Sequence, residues 1–152
     1  MEYEIITLEE KRIAGLNAQT GNNDPRMGET IGGLWKKLFE ENIFFDMKDK
    51  VNENTIGLYT DYGSEQMENY EVTVGCEVST LHEITPGLVK KQIPAGRYAK
   101  FTVFGDPVEA VKEAWPAIWA APLERSFQAD FEEYMGISEN GECQINIYIG
   151  IL

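Results

Sequence analysis

The sequence is poor in the residues from which metal sites and nucleophilic triads are built. It contains one histidine, His82, and two cysteines, Cys76 and Cys143, each within a strand-like run. Two isolated cysteines form neither a disulfide framework nor a zinc-binding spacing, and one histidine leaves little room for a Ser-His-Asp or Cys-His site. P-loop, G-x-S-x-G, HExxH and EF-hand patterns are also missing. We therefore expect no metal and no cofactor, and we expect His82 in a solvated loop.

Basic residues are scarce as well. The chain has 13 Lys and Arg against 26 Asp and Glu, which gives a formal net charge of −13 over 152 residues. Such a surface repels the phosphate backbone and no basic helix stands out, so we expect no direct binding to nucleic acid. The acidity favours cationic partners, although acidity also serves solubility alone.

Long apolar runs are missing too. The longest, AWPAIWAAPL, has about half the length that spans a bilayer and contains two prolines. The N-terminal segment MEYEIITLEE is acidic and has no signal-peptide core. We expect a cytoplasmic protein without membrane contact, folded as a single domain over residues 1–152.

The chain repeats one order of parts, over about residues 1–80 and 88–152. The segments RIAGLN and RYAKFT each lead to an Asp-Pro pair, at Asp24 and Asp106 respectively. Asp as N-cap followed by Pro at the first helical position is a strong helix start, and an apolar stripe follows each pair. The predicted helices are Pro25–Glu41 and Pro107–Ala121.

Two strand-like runs follow each predicted helix. They are TIGLYTDY and YEVTVGCEV in the first half, and DFEEYM and CQINIYIGI in the second. The last run of each half alternates apolar residues, as in a strand with one buried face. A further strand, in LVKKQIPAGRYAKF, is predicted to turn at Pro94–Gly96. We predict an α+β fold in which duplicated β-α-β-β units form one curved antiparallel sheet, with two main helices and a central ligand cleft.

The segment DFEEYM, Asp130–Met135, is unusual because neither side of it is cleanly apolar. As a strand, it directs Glu132 to one side of the sheet and Glu133 to the other. Whichever side turns inward takes a carboxylate with it, and a buried unpaired carboxylate is costly. The segment therefore marks a candidate site.

Five segments in their order resemble the GyrI-like small-molecule-binding family, the effector-binding domain of AraC- and MerR-type multidrug-responsive regulators. They are GLYTDY, IPAGRYAKFTVFG, EAWPAIWAA, DFEEYM and INIYIGI, and the similarity runs from about Ile5 to Leu152. The resemblance implies the duplicated fold and a cleft for hydrophobic, often cationic, ligands, lined by aromatic rings around one acid. The matching acid is Glu132. Regulators of the family carry a DNA-binding domain ahead of this one. The first predicted strand of this sequence begins at its N-terminus, so we expect a stand-alone member.

Candidate ligand-binding residues are grouped around Glu132. Tyr134 shares its side of the strand, and Tyr59 holds a comparable place in the first half. Tryptophans on the helix stripes are more often core than pocket. Tyr70, by contrast, is expected in the core. The full candidate set is Glu132, Tyr134, Tyr59, Trp119, Trp115, Tyr148, Phe104 and Trp35.

Three functions stay open at this point. The first is a sensor or sequestering module for small hydrophobic, cationic molecules. The second is a hydrolase of reactive electrophiles, as some relatives are, with Glu132 as general base or nucleophile. The third is an inhibitor of the gyrase-binding type, whose acidic surface engages a protein partner, either gyrase or a regulator. We expect a binding protein rather than an enzyme.

Overall fold

The computed structural model describes residues 1–63, 68–80, 85–137 and 142–152, so His82 lies outside the described residues. Within these ranges no helix is both long and apolar enough to cross a lipid bilayer. The elements follow in the order β1 (Glu4–Leu8), β2 (Lys11–Thr20), α1 (Met27–Glu40), α2 (Ile43–Asp46), β3 (Thr55–Thr60), β4 (Tyr70–Glu77), β5 (Val89–Ile93), β6 (Gly96–Gly105), α3 (Pro107–Ala120), β7 (Arg125–Ile137) and β8 (Cys143–Ile151).

These strands form one antiparallel sheet in the order β1-β6-β8-β7-β3-β4-β2-β5. Each predicted β-α-β-β unit is preceded by one more strand, and that strand pairs with the other unit: β1 pairs with β6, and β5 pairs with β2. The two units meet in the middle of the sheet, where β3 pairs with β7. The predicted α+β fold with one curved antiparallel sheet is confirmed.

The connections force the sheet to curl. In a flat sheet β1 and β2, six positions apart in the strand order, would be separated by about 29 Å. The two residues that join them, Glu9 and Glu10, allow a reach of only about 11 Å. The short β5–β6 connection at Pro94 and Ala95 imposes the same constraint from the other edge. The sheet therefore bends until its outer strands approach each other.

Both long helices cover the same face of the sheet. Val72 and Val74 of β4 are buried with α1, and Ile145 and Ile147 of β8 are buried with α3, as the alternating patterns predict. The opposite face, inside the curl, is also apolar. Its buried residues are Ile13, Ile56, Leu58, Ile93, Tyr98, Ala129, Phe131 and Tyr148.

The first turn of α3 has the predicted cap. The Asp106 carboxylate accepts hydrogen bonds from the backbone N–H groups of Val108, at 3.2 Å, and Glu109, at 3.0 Å. Pro107 occupies the first helical position, where its missing N–H costs nothing. Pro116 lies inside α3, which nevertheless continues to Ala120.

The Asp-Pro pair before α1 acts differently, because Asp24 is not the N-cap that the pattern predicted. The Asp24 carboxylate accepts hydrogen bonds from the Arg26 backbone N–H, at 2.8 Å, and the Thr20 hydroxyl, at 3.0 Å. These bonds form a local turn, and the helix begins only at Met27. Asp side chains serve turns and caps by the same chemistry, which is why the pattern did not distinguish them.

The cap at Asp106 gives a stability prediction. Asp106→Ala should lower the free energy of unfolding by about 1 kcal/mol, because two N–H groups of the first turn lose their acceptor. Asp106→Asn keeps an acceptor oxygen and should cost much less. Urea unfolding of the three proteins measures both effects. Equal losses in the two variants would contradict the capping role.

Candidate ligand-binding site

Glu132 lies on β7 in the middle of the sheet, on the face covered by the helices. It is 2% exposed, although it carries a carboxylate. Its partner across β3 is Gly57. A Cβ atom at Gly57 would lie 3.1 Å from Oε1 of Glu132 and 3.3 Å from Cζ2 of Trp35. The glycine therefore leaves the room that the carboxylate and the indole occupy.

Three neutral donors hold the Glu132 carboxylate. The Tyr59 hydroxyl and the Trp115 indole N–H donate to Oε2 at 3.1 and 2.8 Å, and the Tyr134 hydroxyl donates to Oε1 at 2.8 Å. The donors come from β3, α3 and β7, so both halves of the chain contribute. Within the described ranges no Lys or Arg forms an ion pair with Glu132. Its charge is hydrogen-bonded but not neutralised.

Burial sets the protonation behaviour of this group. It raises the pKa of Glu132 above the usual 4.5, and the three hydrogen bonds act in the opposite direction. Burial, followed by the charge of Glu132, raises the pKa of Tyr59 and of Tyr134 well above 10. The two phenols therefore remain protonated and keep donating at neutral pH.

Aromatic rings surround the carboxylate. The Trp35 ring of α1 meets Tyr134 edge-on, with centroids 5.2 Å apart. On the other side, Tyr59 meets Trp115 edge-on at 5.8 Å, and Trp115 lies 6.0 Å from Trp119. These tilted arrangements are the favoured ones for aromatic pairs. The two long helices thus supply the tryptophans, and the central strands supply the tyrosines.

A cavity of about 170 Å³ lies next to this cluster. Tyr59 and Trp115 belong to its wall and also donate to Glu132, so the two rings stand between the carboxylate and the cavity. Cavities of about 150 Å³ accept one benzene ring. The lining residues are Asn22, Met27, Ile31, Tyr59, Tyr62, Tyr70, Lys112, Trp115 and Trp119.

A second buried carboxylate, Asp130, differs from Glu132 because it has a cationic partner. Asp130 is fully buried and receives hydrogen bonds from Arg125 Nη2 at 2.6 Å, from the Gly150 backbone N–H at 2.9 Å and from the Tyr62 hydroxyl. The ion pair makes Asp130 a structural acid that holds the cavity residue Tyr62. Among the described residues, no group of three or more His, Cys, Asp or Glu side chains is arranged to hold a metal ion.

A protein-family model resolves the family of the chain. The model Cass2, described as an integron-associated effector binding protein, matches residues 4–151. The chain belongs to the Cass2 family. No functionally curated protein sequence matches it significantly.

Solved structures agree in fold. An integron cassette protein from the mobile metagenome of Vibrio cholerae has a TM-score of 0.73 and 24% identity, over 97% of this chain and 95% of that one. The structure of SAV2435 bound to tetraphenylphosphonium has a TM-score of 0.76 and 14% sequence identity, over 98% of this chain and 94% of that one. The EcmrR C-terminal domain has a TM-score of 0.59 and 14% sequence identity, over 100% of this chain and 99% of that one. The resemblance to effector-binding domains is confirmed, and the family to which this chain belongs is described as one of effector binding proteins.

The Cass2-family fold brings together six of the eight predicted site residues. Glu132 and its three donors form the centre described above, Trp35 packs on Tyr134, and Trp119 lines the cavity. Tyr148 and Phe104 lie elsewhere. Tyr148 is on the inner face of the curled sheet, where it stacks on Phe131 with centroids 4.4 Å apart. Phe104 is 62% exposed near the end of β6. Strand alternation directs both side chains away from the helices.

Several cavity residues were not among the candidates. Tyr70, expected in the core, is buried, but its ring lines the cavity and its hydroxyl donates to Asn22 Oδ1 at 2.8 Å. Tyr62 follows β3, and Met27 and Ile31 come from α1. One sequence signal could have indicated these residues, because Tyr59, Tyr62 and Tyr70 lie close together in the sequence. The pairing of β3 with β4 brings their rings into contact.

The raised pKa of Glu132 gives a pH-dependent stability prediction. A raised folded-state pKa stabilises the protein below the unfolded-state pKa, and this contribution is lost as pH rises through the folded-state value. Glu132→Gln removes the titrating group. The free energy of unfolding of the variant, relative to wild type, should therefore increase as pH rises from the ordinary pKa of 4.5 through the raised folded-state pKa.

Urea unfolding at several pH values measures this difference. Glu133→Gln makes the same change in net charge on the other side of the strand, so only the difference between the two variants is assigned to Glu132. Parallel stability curves for wild type and Glu132→Gln would contradict the prediction.

Proposed function

We propose that this domain binds small hydrophobic cations in the aromatic cavity, with Glu132 as the anion that selects positive charge. The observation that carries the proposal is the contrast between the two buried acids. Asp130 has Arg125 as a cationic partner, whereas Glu132 has three neutral donors. A buried charge without a counter-ion is costly, and a bound cation would supply the missing charge.

The cavity wall suits a cation that is also apolar. The polar ends of Tyr59 and Trp115 are engaged by Glu132, so their rings remain as wall surface. Each ring face attracts a cation by about 0.5–2 kcal/mol. The carboxylate behind the rings adds a coulombic attraction, which is about 4 kcal/mol at 4 Å for an effective dielectric constant of 20 and smaller at longer range. Together these contributions favour a cation over a neutral molecule of the same shape.

The size of the cavity sets a second condition on the ligand. At about 170 Å³ it holds about one aromatic ring. A larger cation such as tetraphenylphosphonium, the compound bound to SAV2435, would need the side chains at the mouth to move. Trp119 is half exposed, so it has space to do so. This property fits a sensor or sequestering module that accepts ligands of several shapes.

The geometry favours binding over hydrolysis. A nucleophile or general base must reach the reacting atom, and Glu132 is 2% exposed behind Tyr59 and Trp115. To attack an electrophile it would have to give up hydrogen bonds that fix it in place. A protein partner for the acidic surface, gyrase or a regulator, would be recognised by steep salt dependence and by indifference to a change at Glu132.

The charge of Glu132 is tested with a matched pair of ligands and a matched pair of variants. Glu132→Gln should weaken binding of tetraphenylphosphonium by about 1–2 kcal/mol, because the coulombic attraction across the two rings is lost. The affinity for neutral triphenylphosphine oxide should fall much less. Glu133→Gln should change neither affinity appreciably. Isothermal titration calorimetry measures all six combinations with wild type. Equal effects at the two positions would refute the assignment.

The same site should show pH-dependent affinity. Because protonation removes the charge of Glu132, the affinity for a cation should fall as pH decreases through its raised pKa. The affinity of Glu132→Gln should change little over the same interval. Fluorescence titrations between pH 5 and pH 8 compare the two proteins. A cation affinity that is flat with pH in wild type would count against the proposal.

A further inference from the structure

The cavity contains a charged residue that a site for plain cations would not need. Lys112 lies on α3, three positions before Trp115 and seven before Trp119, so all three share one helix face and line the cavity. No other lining residue carries a formal charge. In the part of the chain that the structure describes, Lys112 takes part in no ion pair. Lys112 is exposed on α3, so its flexible side chain can reach a charged group of a ligand at the edge of the cavity.

The remaining polar groups of the wall also leave donors for the ligand. Tyr59, Tyr62 and Tyr70 direct their hydroxyl hydrogens at Glu132, Asp130 and Asn22, respectively. Because the Asn22 side-chain oxygen accepts from Tyr70, its NH₂ group is the part left for another acceptor. The anion thus lies behind the tyrosine and tryptophan rings, whereas Lys112 and Asn22 are themselves residues of the wall.

We propose that Lys112 determines specificity, and that the preferred ligand is a small aromatic amphoter: one ring with a cationic group directed at Glu132 and a carboxylate directed at Lys112. This inference rests on the proposed function, since it assumes that Glu132 receives the cation. A plain cation is repelled by Lys112 on entry, and a carboxylate on the same ring converts that repulsion into attraction. The acidic surface attracts cations of every kind, so a lysine at the cavity provides the discrimination.

Two probes that differ in one ionised group test the inference. They are (4-carboxybenzyl)trimethylammonium and its methyl ester, each with one ring for a cavity of about 170 Å³. Wild type should bind the carboxylate about two- to five-fold tighter than the ester, the range of a partly exposed ion pair, and less so at high salt. In Lys112→Met, which keeps the length of the side chain, the affinity ratio of the carboxylate to the ester should fall to about one. Lys36→Met, which removes an exposed charge from α1, should keep the wild-type ratio.

The outcomes separate the two proposals. If both probes bind and Glu132→Gln weakens both, but the ratio is the same in wild type and Lys112→Met, the role of Lys112 is refuted and the cation site stands. If neither probe binds, or if Glu132→Gln leaves both affinities unchanged, the cation site itself is refuted, and the inference with it. A ratio that falls in Lys112→Met and persists in Lys36→Met supports the amphoteric ligand.

Discussion

The central constraint in this structure is one buried carboxylate, Glu132, which has no cationic partner among the described residues. Three hydrogen bonds from Tyr59, Trp115 and Tyr134 make its burial tolerable, but none of them removes its charge. Each donor must be held in place, and this requirement explains much of the surrounding packing. Gly57 leaves space for the carboxylate, and the edge-on aromatic contacts fix the rings. Departures of this kind from fully compensated burial are expected at functional or strained sites.

The position of this carboxylate follows from the duplication of the chain. β3 and β7 are equivalent strands of the two units, and their pairing places Glu132 where the halves meet. One helix from each unit then covers the junction and contributes a tryptophan: α1 gives Trp35, and α3 gives Trp115. A single acid on a near-symmetric junction can therefore be surrounded by rings from both sides. The asymmetry of the site, with Glu132 on one side and Gly57 on the other, is what creates room for it.

The fold could be predicted in large part because its signals are local. The alternation in β8 and the Asp-Pro start at Asp106 depend only on neighbouring residues, and both agree with the structure. The placement of Tyr148 could not be derived this way. The sheet curls, so its inner face is buried as well, and a ring on either side of β8 has an apolar environment. Tyr70 was likewise placed in the core because burial alone does not separate a core ring from a ring that lines a cavity. The choice of Glu132 as the site acid came from the family resemblance. The alternation pattern alone could not decide between Glu132 and Glu133.

The exchange of first strands between the two units limits how this domain can move. β1 belongs to the first unit but pairs with β6, and β5 belongs to the second but pairs with β2. The halves therefore cannot swing apart about a hinge at the β3–β7 junction without breaking three ladders at once. Any movement that makes room for a large ligand would therefore involve side chains and the helices α1 and α3. These helices pack on the sheet without sharing its backbone hydrogen bonds. If this domain passes a signal to another protein, the surfaces that can change are those of the two helices.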